Sequence, residues 1–347
     1  PLKKSQYINM QKLEELLLPF DKKTSLNSPK QKGVSVFSFE EALKKFPQKV
    51  KVAIEKESAA KDQFEAFTNA FFSGGFFVLV HKDFSGEKIE LNVVLEGKSV
   101  SKNFLFFENE KKAIVFEKIS GKENFALCEN NFLSENSSVE ICRLHDNWDE
   151  STGFFYNQSM LENYSFFVNS NAWLNGKLLR SNTYNNLVGK GSQVKQFDVL
   201  LLDKKQLFDL NNTAMHIEGD SNSYTVFKGI MAEESKSVFD AMIKIVKNAQ
   251  HSTAFLEAHS MLLSESASSN NVPGLEIEAD DVKASHSASV AQVDEEQLYY
   301  LQSRGITYKK ALKMFITGFV ECVLLNLDDR LSQSIFLELE KKTQRLG

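Results

Sequence analysis

Long hydrophobic runs are missing from this chain, and so is a surplus of basic charge. No apolar stretch approaches the roughly 18–20 residues that a membrane helix needs, and the longest, FFSGGFFVLV at 71–80, contains two glycines. The 41 Lys and Arg residues are outnumbered by 46 Asp and Glu, for a formal net charge of −5. The sequence therefore predicts neither a membrane protein nor a nucleic-acid-binding protein.

Cysteine is also scarce. The three cysteines, Cys128, Cys142 and Cys322, are widely spaced and odd in number, which argues against a disulfide framework and is typical of a reducing compartment. The N-terminal PLKKSQYINM lacks the apolar core of a signal peptide. Together these observations predict a cytoplasmic protein.

Motifs for catalysis and metal binding are absent or incomplete. No GxxxxGK[ST] phosphate loop is present, since VGKGSQ at 188–193 lacks the first glycine, so we do not expect nucleotide hydrolysis. Cys142 and His145 offer two metal ligands, but a structural zinc site needs four. Asp280–Asp281 is interpreted as a turn, because adjacent strand residues face opposite ways. His216 is interpreted as an ordinary strand histidine.

The first 75 residues are predicted to be mainly helical. Apolar residues recur at helical spacing in MQKLEELLLPF at 10–20 and in DQFEAFTNAFF at 62–72. Between them, FSFEEALKKF at 37–46 carries Ser38 as an N-cap with Glu41 three residues on, which is the pattern of a capping box.

Residues 76–291 are predicted to be a long β-rich body. Short β-branched and aromatic runs such as FFVLV and FDVLLLD are separated by polar clusters, and no amphipathic helix alternates with them. VFKGIM at 226–231 resembles VFDAMI, which begins twelve residues later. Asparagines are interpreted as turn residues: Asn169, Asn171, Asn182, Asn185, Asn211, Asn222 and Asn248. The pattern predicts a β-solenoid or a β-sandwich and does not decide between them.

Helices are predicted again over 292–347. Asp294 is placed to cap LYYLQSR, and Gly305 to end that helix. Thr307 is placed to cap YKKALKMFITGFVECVLLNL, and LSQSIFLELEKKTQRL forms the last helix.

The stretch LEIEADDVKASHSASV at 275–290 changes phase halfway. Before Asp280–Asp281 the apolar residues are odd-numbered, and after it they are even-numbered, which predicts a corner between two strands. The second strand places one histidine in a small apolar row: Val282, Ala284, His286, Ala288 and Val290. A buried imidazole needs hydrogen-bond partners, and the pattern alone favours a satisfied core histidine.

The run VPGLEIEADDVKASHSASVAQVDEEQLYYLQSRGI at 272–306 resembles the C-terminal signature of the SufB/SufD family of SUF iron–sulfur cluster assembly proteins, in its D-type (SufD) form. FKGIMAEESKSVFDAMIKIVKNAQ at 227–250, MLLSESA at 261–267 and QFEAFTNAFFSGGFFVLV at 63–80 are similar to further parts of that family. The resemblance covers most of 63–347. It implies a right-handed parallel β-helix over 76–291, between helical regions at 1–75 and 292–347.

The resemblance is incomplete around the histidine. The D-type pattern KCSHG is KASHS here, so Ala284 and Ser287 replace a cysteine and a glycine. At the positions where a B-type subunit carries a cysteine and a glutamate, this chain has Ala258 and Ser287. Only His286 carries over, as a candidate cluster ligand or interface residue. Imidazole can replace thiolate at an iron–sulfur site, but one histidine cannot hold a cluster alone.

The resemblance implies a non-enzymatic scaffold subunit that pairs with a SufB-like paralogue. It also implies a SufC-like ABC ATPase bound through residues 292–347, which agrees with the missing phosphate loop. We expect no cofactor held stably by the isolated chain, and a transient iron–sulfur cluster at the partner interface, with His286 as a metal ligand shared with the partner. A self-sufficient homodimeric SufB-like scaffold is the first alternative, which Ala258 disfavours. An extracellular β-helix carbohydrate enzyme is the second, which the cysteine usage disfavours.

Overall fold

Stacked parallel strands dominate the molecule. The computed structural model describes residues 23–55, 62–86 and 88–345, and these contain eighteen strands and six helices. The helix predicted for MQKLEELLLPF lies outside the described residues.

The elements follow one another in three blocks. The first contains β1 (Lys23–Asn27), β2 (Val34–Ser38), α1 (Phe39–Lys45), α2 (Pro47–Glu55) and α3 (Gln63–Phe71). The second contains β3 (Phe76–Val80), β4 (Lys88–Glu96), β5 (Ser99–Phe107), β6 (Lys112–Gly121), β7 (Phe125–Leu133), β8 (Ser138–Asp146), β9 (Thr152–Leu161), β10 (Phe166–Asn175), β11 (Leu178–Leu187), β12 (Gln193–Leu202), β13 (Leu207–His216), β14 (Asn222–Met231), β15 (Lys236–Ile245), β16 (Thr253–Leu262), β17 (Ser268–Ile277) and β18 (Lys283–Gln292). The third contains α4 (Glu295–Ser303), α5 (Tyr308–Leu324) and α6 (Asp329–Arg345).

The second block winds as a parallel β-solenoid of about eight turns, which confirms the predicted fold and rules out the sandwich. Successive strands alternate between two nine-stranded sheets. Sheet A has the order β1-β4-β6-β8-β10-β12-β14-β16-β18, and sheet B has the order β2-β3-β5-β7-β9-β11-β13-β15-β17. The register pairs Glu117 with Arg143 and Asn222 with Thr253, so the length of one turn varies along the chain.

The similarity between VFKGIM and VFDAMI does not measure the solenoid repeat. The two segments lie on β14 and β15, which belong to different sheets. They bring Phe227 and Phe239 face to face across the interior, with ring centroids 4.1 Å apart and nearly parallel planes. The twelve-residue spacing therefore reflects one internal contact between the sheets.

The corners of the solenoid rely on residues in the left-handed backbone region. Among the described residues, seven non-glycine residues have positive φ, namely Glu110, Asn136, Tyr164, Lys204, Asp220, Glu233 and His251. The prediction that asparagines mark turns is wrong for most of them. Asn248 lies in a turn, but the other six lie within strands: Asn169, Asn171, Asn182, Asn185, Asn211 and, as the first residue of β14, Asn222.

The N-terminal end of the solenoid is covered by two short strands that the sequence did not predict. β1 runs antiparallel to β4 and β2 antiparallel to β3, so a mainly helical reading of this region is wrong there. The capping box that begins α1 is confirmed, since Ser38 Oγ accepts the Glu41 N–H and Glu41 accepts the Ser38 N–H. Helices α1–α3 pack on sheet B, where Phe64 stacks on Phe154 at 4.6 Å.

Helices α4–α6 cover the outer face of sheet A. Asp294 caps α4 as predicted, but Thr307 makes no side-chain hydrogen bond to α5. Lys342 fixes the end of α6, where its ammonium donates to the carbonyls of Leu174 and Leu201 and forms an ion pair with Asp203. None of the helices described is both long and apolar enough to cross a membrane.

Candidate functional site

The C-terminal end of the solenoid is open. β17 and β18 are the last strands of their sheets, and among the described residues no further strand pairs with either of them. Two ten-residue edges therefore expose backbone donors and acceptors, a feature that natural proteins normally protect or use for pairing.

The interior of the last turn is apolar and partly uncovered. Ile243 and Ile245 are buried on β15, but their register partners Leu275 and Ile277 on β17 are 37% and 40% exposed. On β18, Val290 is 42% exposed. Since the preceding turns bury the equivalent positions, this end exposes side chains of the kind that form the hydrophobic core elsewhere in the solenoid.

His286 lies at the centre of this open surface. It pairs in register with Leu256, a buried interior residue, so it occupies an interior row of sheet A. The register also places Ala284 beside Ala254 and Ala288 beside Ala258, which confirms the small apolar row predicted for β18. His286 is exposed, and no described residue forms a hydrogen bond with its imidazole. The satisfied core histidine favoured by the pattern alone is therefore not what this structure contains.

A polar cluster joins the two sheets at the rim of this surface. The Asn271 amide on β17 donates to the Ala258 carbonyl (3.2 Å), to Ser260 Oγ (3.0 Å) and to the Ser289 carbonyl (3.1 Å). These contacts connect β17 with β16 and β18 and hold the last turn in shape without closing its end.

The predicted corner at Asp280–Asp281 is confirmed. Both aspartates are exposed between β17 and β18, and Asp281 pairs with His251 at 2.9 Å on the preceding corner. The two carboxylates are turn residues, as the sequence indicated.

The histidines predicted elsewhere are structural. His216 is buried in the interior, with Ser221 Oγ and Ser223 Oγ each 2.8 Å from its ring nitrogens, and burial lowers its pKa to about 4. His145 stacks on Trp173 at 3.7 Å, and burial lowers its pKa to about 3. Cys142 packs beneath the C-terminal helices on the opposite face of β8 from His145, so the two do not form a metal pair. The described residues contain no group of three or more metal-ligating side chains.

The three cysteines differ in access. Cys128 and Cys142 are buried, and Cys322 is exposed on α5. Burial and, secondarily, the Glu140 carboxylate raise the pKa of the Cys142 thiol. The arrangement leaves one thiol available to reagents in the folded chain.

Thiol labelling of the native protein is expected to proceed in two stages. Cys322 should react rapidly with a maleimide, and Cys128 and Cys142 only after denaturation, because burial blocks the access of the reagent to both thiols. Mass spectrometry would count the labels. A Cys322→Ser variant should lose the fast label and a Cys142→Ser variant should keep it. Two or more fast labels on the wild type would contradict this description.

The interior of the middle turns contains a polar cluster that sequence reasoning missed. Arg143 Nε donates to Glu117 Oε2 (2.9 Å) and Glu129 Oε1 (3.0 Å), and Nη1 donates to Asn169. The side chains of Arg143, Glu117 and Glu129 have no exposed surface. Burial first, and the Glu129 charge second, raise the pKa of Glu117 well above its usual value. One guanidinium thus serves two carboxyl groups, and the raised pKa of Glu117 favours its neutral form.

This polar interior does not reach the open end. Asp198 accepts four hydrogen bonds from neutral donors, including Trp173 Nε1 at 2.9 Å. The next interior residue in the same row is Phe227, followed by Ala258 and Ala288. The stacked Phe227 and Phe239 rings therefore separate the polar cluster from the surface around His286.

A second exposed surface lies on the C-terminal helices. Tyr299 and Tyr300 on α4 are exposed, and Arg304 lies 5.0 Å from the Tyr300 ring centre. Leu325, directly after α5, is 81% exposed, which is unusual for a leucine at a helix end that packs inward through Leu324. Tyrosine and arginine are enriched at the centres of protein interfaces.

The fold and these surfaces define a β-solenoid protein with one capped end, one open end and exposed aromatic side chains on its terminal helices. Residues 94–319 match the model of the SUF system FeS cluster assembly SufBD core domain, which is more than half of the chain. The chain belongs to this family.

Individual relatives agree with that assignment. The chain is 30% identical over 190 residues to the iron–sulfur cluster assembly protein SufD of Escherichia coli, covering 54% of this chain and 45% of that protein. It is 35% identical over 152 residues to the SufD of Bacillus subtilis, covering 44% and 35%. A SufBD family protein of Staphylococcus saprophyticus is 26% identical over 280 residues, covering 76% and 58%. The matches therefore span less than two thirds of each relative's own length, and within the family the chain is SufD-like.

Proposed function

We propose that this chain is the non-catalytic, D-type scaffold subunit of a SUF assembly machine and pairs through its open end with a SufB-like paralogue. The observation that carries the proposal is the asymmetry of the solenoid. One end is covered by β1 and β2, and the other exposes Leu275, Ile277 and Val290 beside two unpaired strand edges. Exposed apolar surface of this kind at a solenoid end marks a site that a partner covers.

His286 faces the covered space that such a pairing creates. A single imidazole cannot hold an iron–sulfur cluster, but it can complete a ligand set supplied mainly by the partner. Ala258 and Ser287 bring no thiolate or carboxylate to this end, so the partner chain provides the remaining ligands. The cluster is cargo in this scheme and is not a resident cofactor.

The terminal helices are the proposed docking surface for a SufC-like ATPase. Their support is the exposure of large side chains on these helices, namely Tyr299 and Tyr300 on α4 and Leu325 after the end of α5. The chain itself lacks a phosphate loop, so the free energy of nucleotide hydrolysis would come from that separate subunit.

Co-expression with candidate SufB-like and SufC-like chains tests the proposal. We expect the three to purify together, with the mass of the intact assembly giving their ratio. In that complex, His286→Ala is expected to leave the mass unchanged and to lower the yield of cluster several-fold. Ser285→Ala, one residue away on the outer face, serves as the matched control and should retain the yield.

Three outcomes would count against the proposal. Failure of every SufB-like chain to co-purify would remove the pairing. A normal cluster yield in an intact His286→Ala complex would remove the ligand role. A stable cluster spectrum after iron and sulfide reconstitution of the chain alone would favour the self-sufficient homodimer instead.

A further inference from the structure

The two free strand edges at the open end differ in the backbone donors that they offer. In a parallel ladder, each residue directs its N–H and C=O to one neighbouring strand, and the next residue directs them to the other side. Lys283 N donates to the Ser252 carbonyl and Val293 N to the Leu262 carbonyl, both on the β16 side. The odd-numbered residues of β18 therefore bond to β16, and its even-numbered residues point to the free edge.

This free edge of β18 is unbroken. Its outward-pointing residues are Ala284, His286, Ala288, Val290 and Gln292, and each of them has an N–H group. A strand that approached this edge would find a donor and an acceptor at every second residue along the whole of β18.

The free edge of β17 is interrupted at its centre. Ser268 N donates to the Ser235 carbonyl and Glu278 N to the Ile245 carbonyl, so the even-numbered residues of β17 bond to β15. The odd-numbered residues point outward, and the middle one is Pro273, which has no N–H. Proline in a sheet is confined to such positions, where its ring blocks a further strand.

From this difference we propose that a partner strand adds to β18 through a continuous backbone ladder, whereas β17 meets the partner through side chains alone. The inference rests on the proposed function, because the partner is a second solenoid that arrives open end first. When two solenoids of the same hand meet end to end, the partner strand must run antiparallel to β18. β18 and the partner strand form one sheet across the interface, and Leu275 and Ile277 pack without a ladder on the other side.

This pairing places a partner residue at a fixed point beside His286. Because His286 directs its N–H to the free edge, it forms a hydrogen-bonded antiparallel pair, with Cα atoms about 5.5 Å apart. The side chains of such a pair lie on the same face of the sheet, here the interior. The backbone ladder therefore sets which partner side chain faces the imidazole, and a slip by one residue would turn that side chain outward.

Proline substitution on the full-length chain tests this inference. Ala288→Pro removes an outward N–H that the chain itself does not use, so circular dichroism and the unfolding midpoint should stay close to wild type. Its dissociation constant for the purified SufB-like chain is expected to rise about 30-fold or more, from the lost N–H hydrogen bond and the steric block by the proline ring. Ala288→Ser keeps the N–H and should bind within about threefold of wild type.

Pro273→Ala is the complementary variant, since it restores a donor to β17. We expect binding within about threefold of wild type, and a tenfold gain would overturn the inference by showing that β17 also pairs. Wild-type affinity for Ala288→Pro would overturn it too, while leaving the proposed pairing intact. If the wild-type chain bound no SufB-like protein, the proposed function would fail together with the inference.

Hydrogen exchange on the wild-type chain gives an answer that is independent of any variant. On complex formation, amides in peptides covering Lys283–Gln292 should gain protection, and those covering Ser268–Ile277 should gain much less. Equal protection of the two strands would contradict the proposed asymmetry.

Discussion

Arg143→Met is expected to lower the free energy of unfolding by about 3–5 kcal/mol, because it leaves a buried carboxylate without its cation. Arg143 is the only positive charge in contact with Glu117 and Glu129 among the described residues, and all three side chains are fully enclosed. Methionine fills much of the same volume, so lost packing contributes little to the change. The expected loss is a large part of the stability of an ordinary domain.

Urea unfolding followed by circular dichroism would measure this loss. Lys177→Met is the matched control, because its ion pair with Glu150 at 3.0 Å is exposed on both sides, and it should change stability by less than about 0.5 kcal/mol. Adding Glu117→Gln and Glu129→Gln to Arg143→Met should recover part of the loss. A single Arg143→Met variant as stable as wild type would show that the cluster is not charged as described.

Acid is expected to destabilise the fold through His145. Its pKa falls from 6.5 in the unfolded chain to about 3 in the folded protein, because burial opposes the charged form. Below pH 6.5 the unfolded chain binds a proton that the folded chain does not. The contribution is present above pH 6.5 and is lost as the pH falls, at about 1.4 kcal/mol per pH unit. His216, with its pKa lowered to about 4, adds a second contribution of the same sign.

Unfolding free energies of the wild type and a His145→Gln variant, measured from pH 7.5 to pH 4.5, would isolate this term. The variant should lose stability less steeply below pH 6.5, and the two slopes should agree above pH 7. The contribution of Glu117 to the pH dependence has the opposite sign, since its raised pKa gives stability that is lost as the pH rises. Glu117 is present in both proteins, so this contribution cancels in the comparison. Parallel slopes throughout the range would contradict a neutral buried His145.

Local signals in the sequence predicted the local features well. The capping box at Ser38 and Glu41 and the helix cap at Asp294 depend on contacts within one turn of chain, and both are confirmed. The change of phase at Asp280–Asp281 identified a corner, because alternation along a strand is fixed by backbone geometry. The same rule excludes Cys142 and His145 as a metal-binding pair on one strand, since residues three apart on a strand point to opposite faces.

Long-range features could not be predicted from the residues alone. Glu117 meets Arg143 only because one turn of the solenoid takes 26 residues at that point, and the turn length varies. Asparagine is a frequent turn residue, so the sequence predicts turns at the interior asparagines. In the structure their hydrogen-bond partners come from other turns of the solenoid, as Asn171 meets Asp198. β1 and β2 were missed because five-residue strands owe their stability to the neighbour they pair with.

The short antiparallel strands β1 and β2 also decide how far assembly can proceed. Eighteen strands stacked mostly in parallel are a template that could otherwise recruit chain after chain into a fibre. Within the described residues β1 and β2 cover the N-terminal end, so the proposed pairing uses the open C-terminal end and the partner occupies it. In the proposed pairing the end covered by β1 and β2 lies outermost on this chain, where these short antiparallel strands oppose further growth along the solenoid axis.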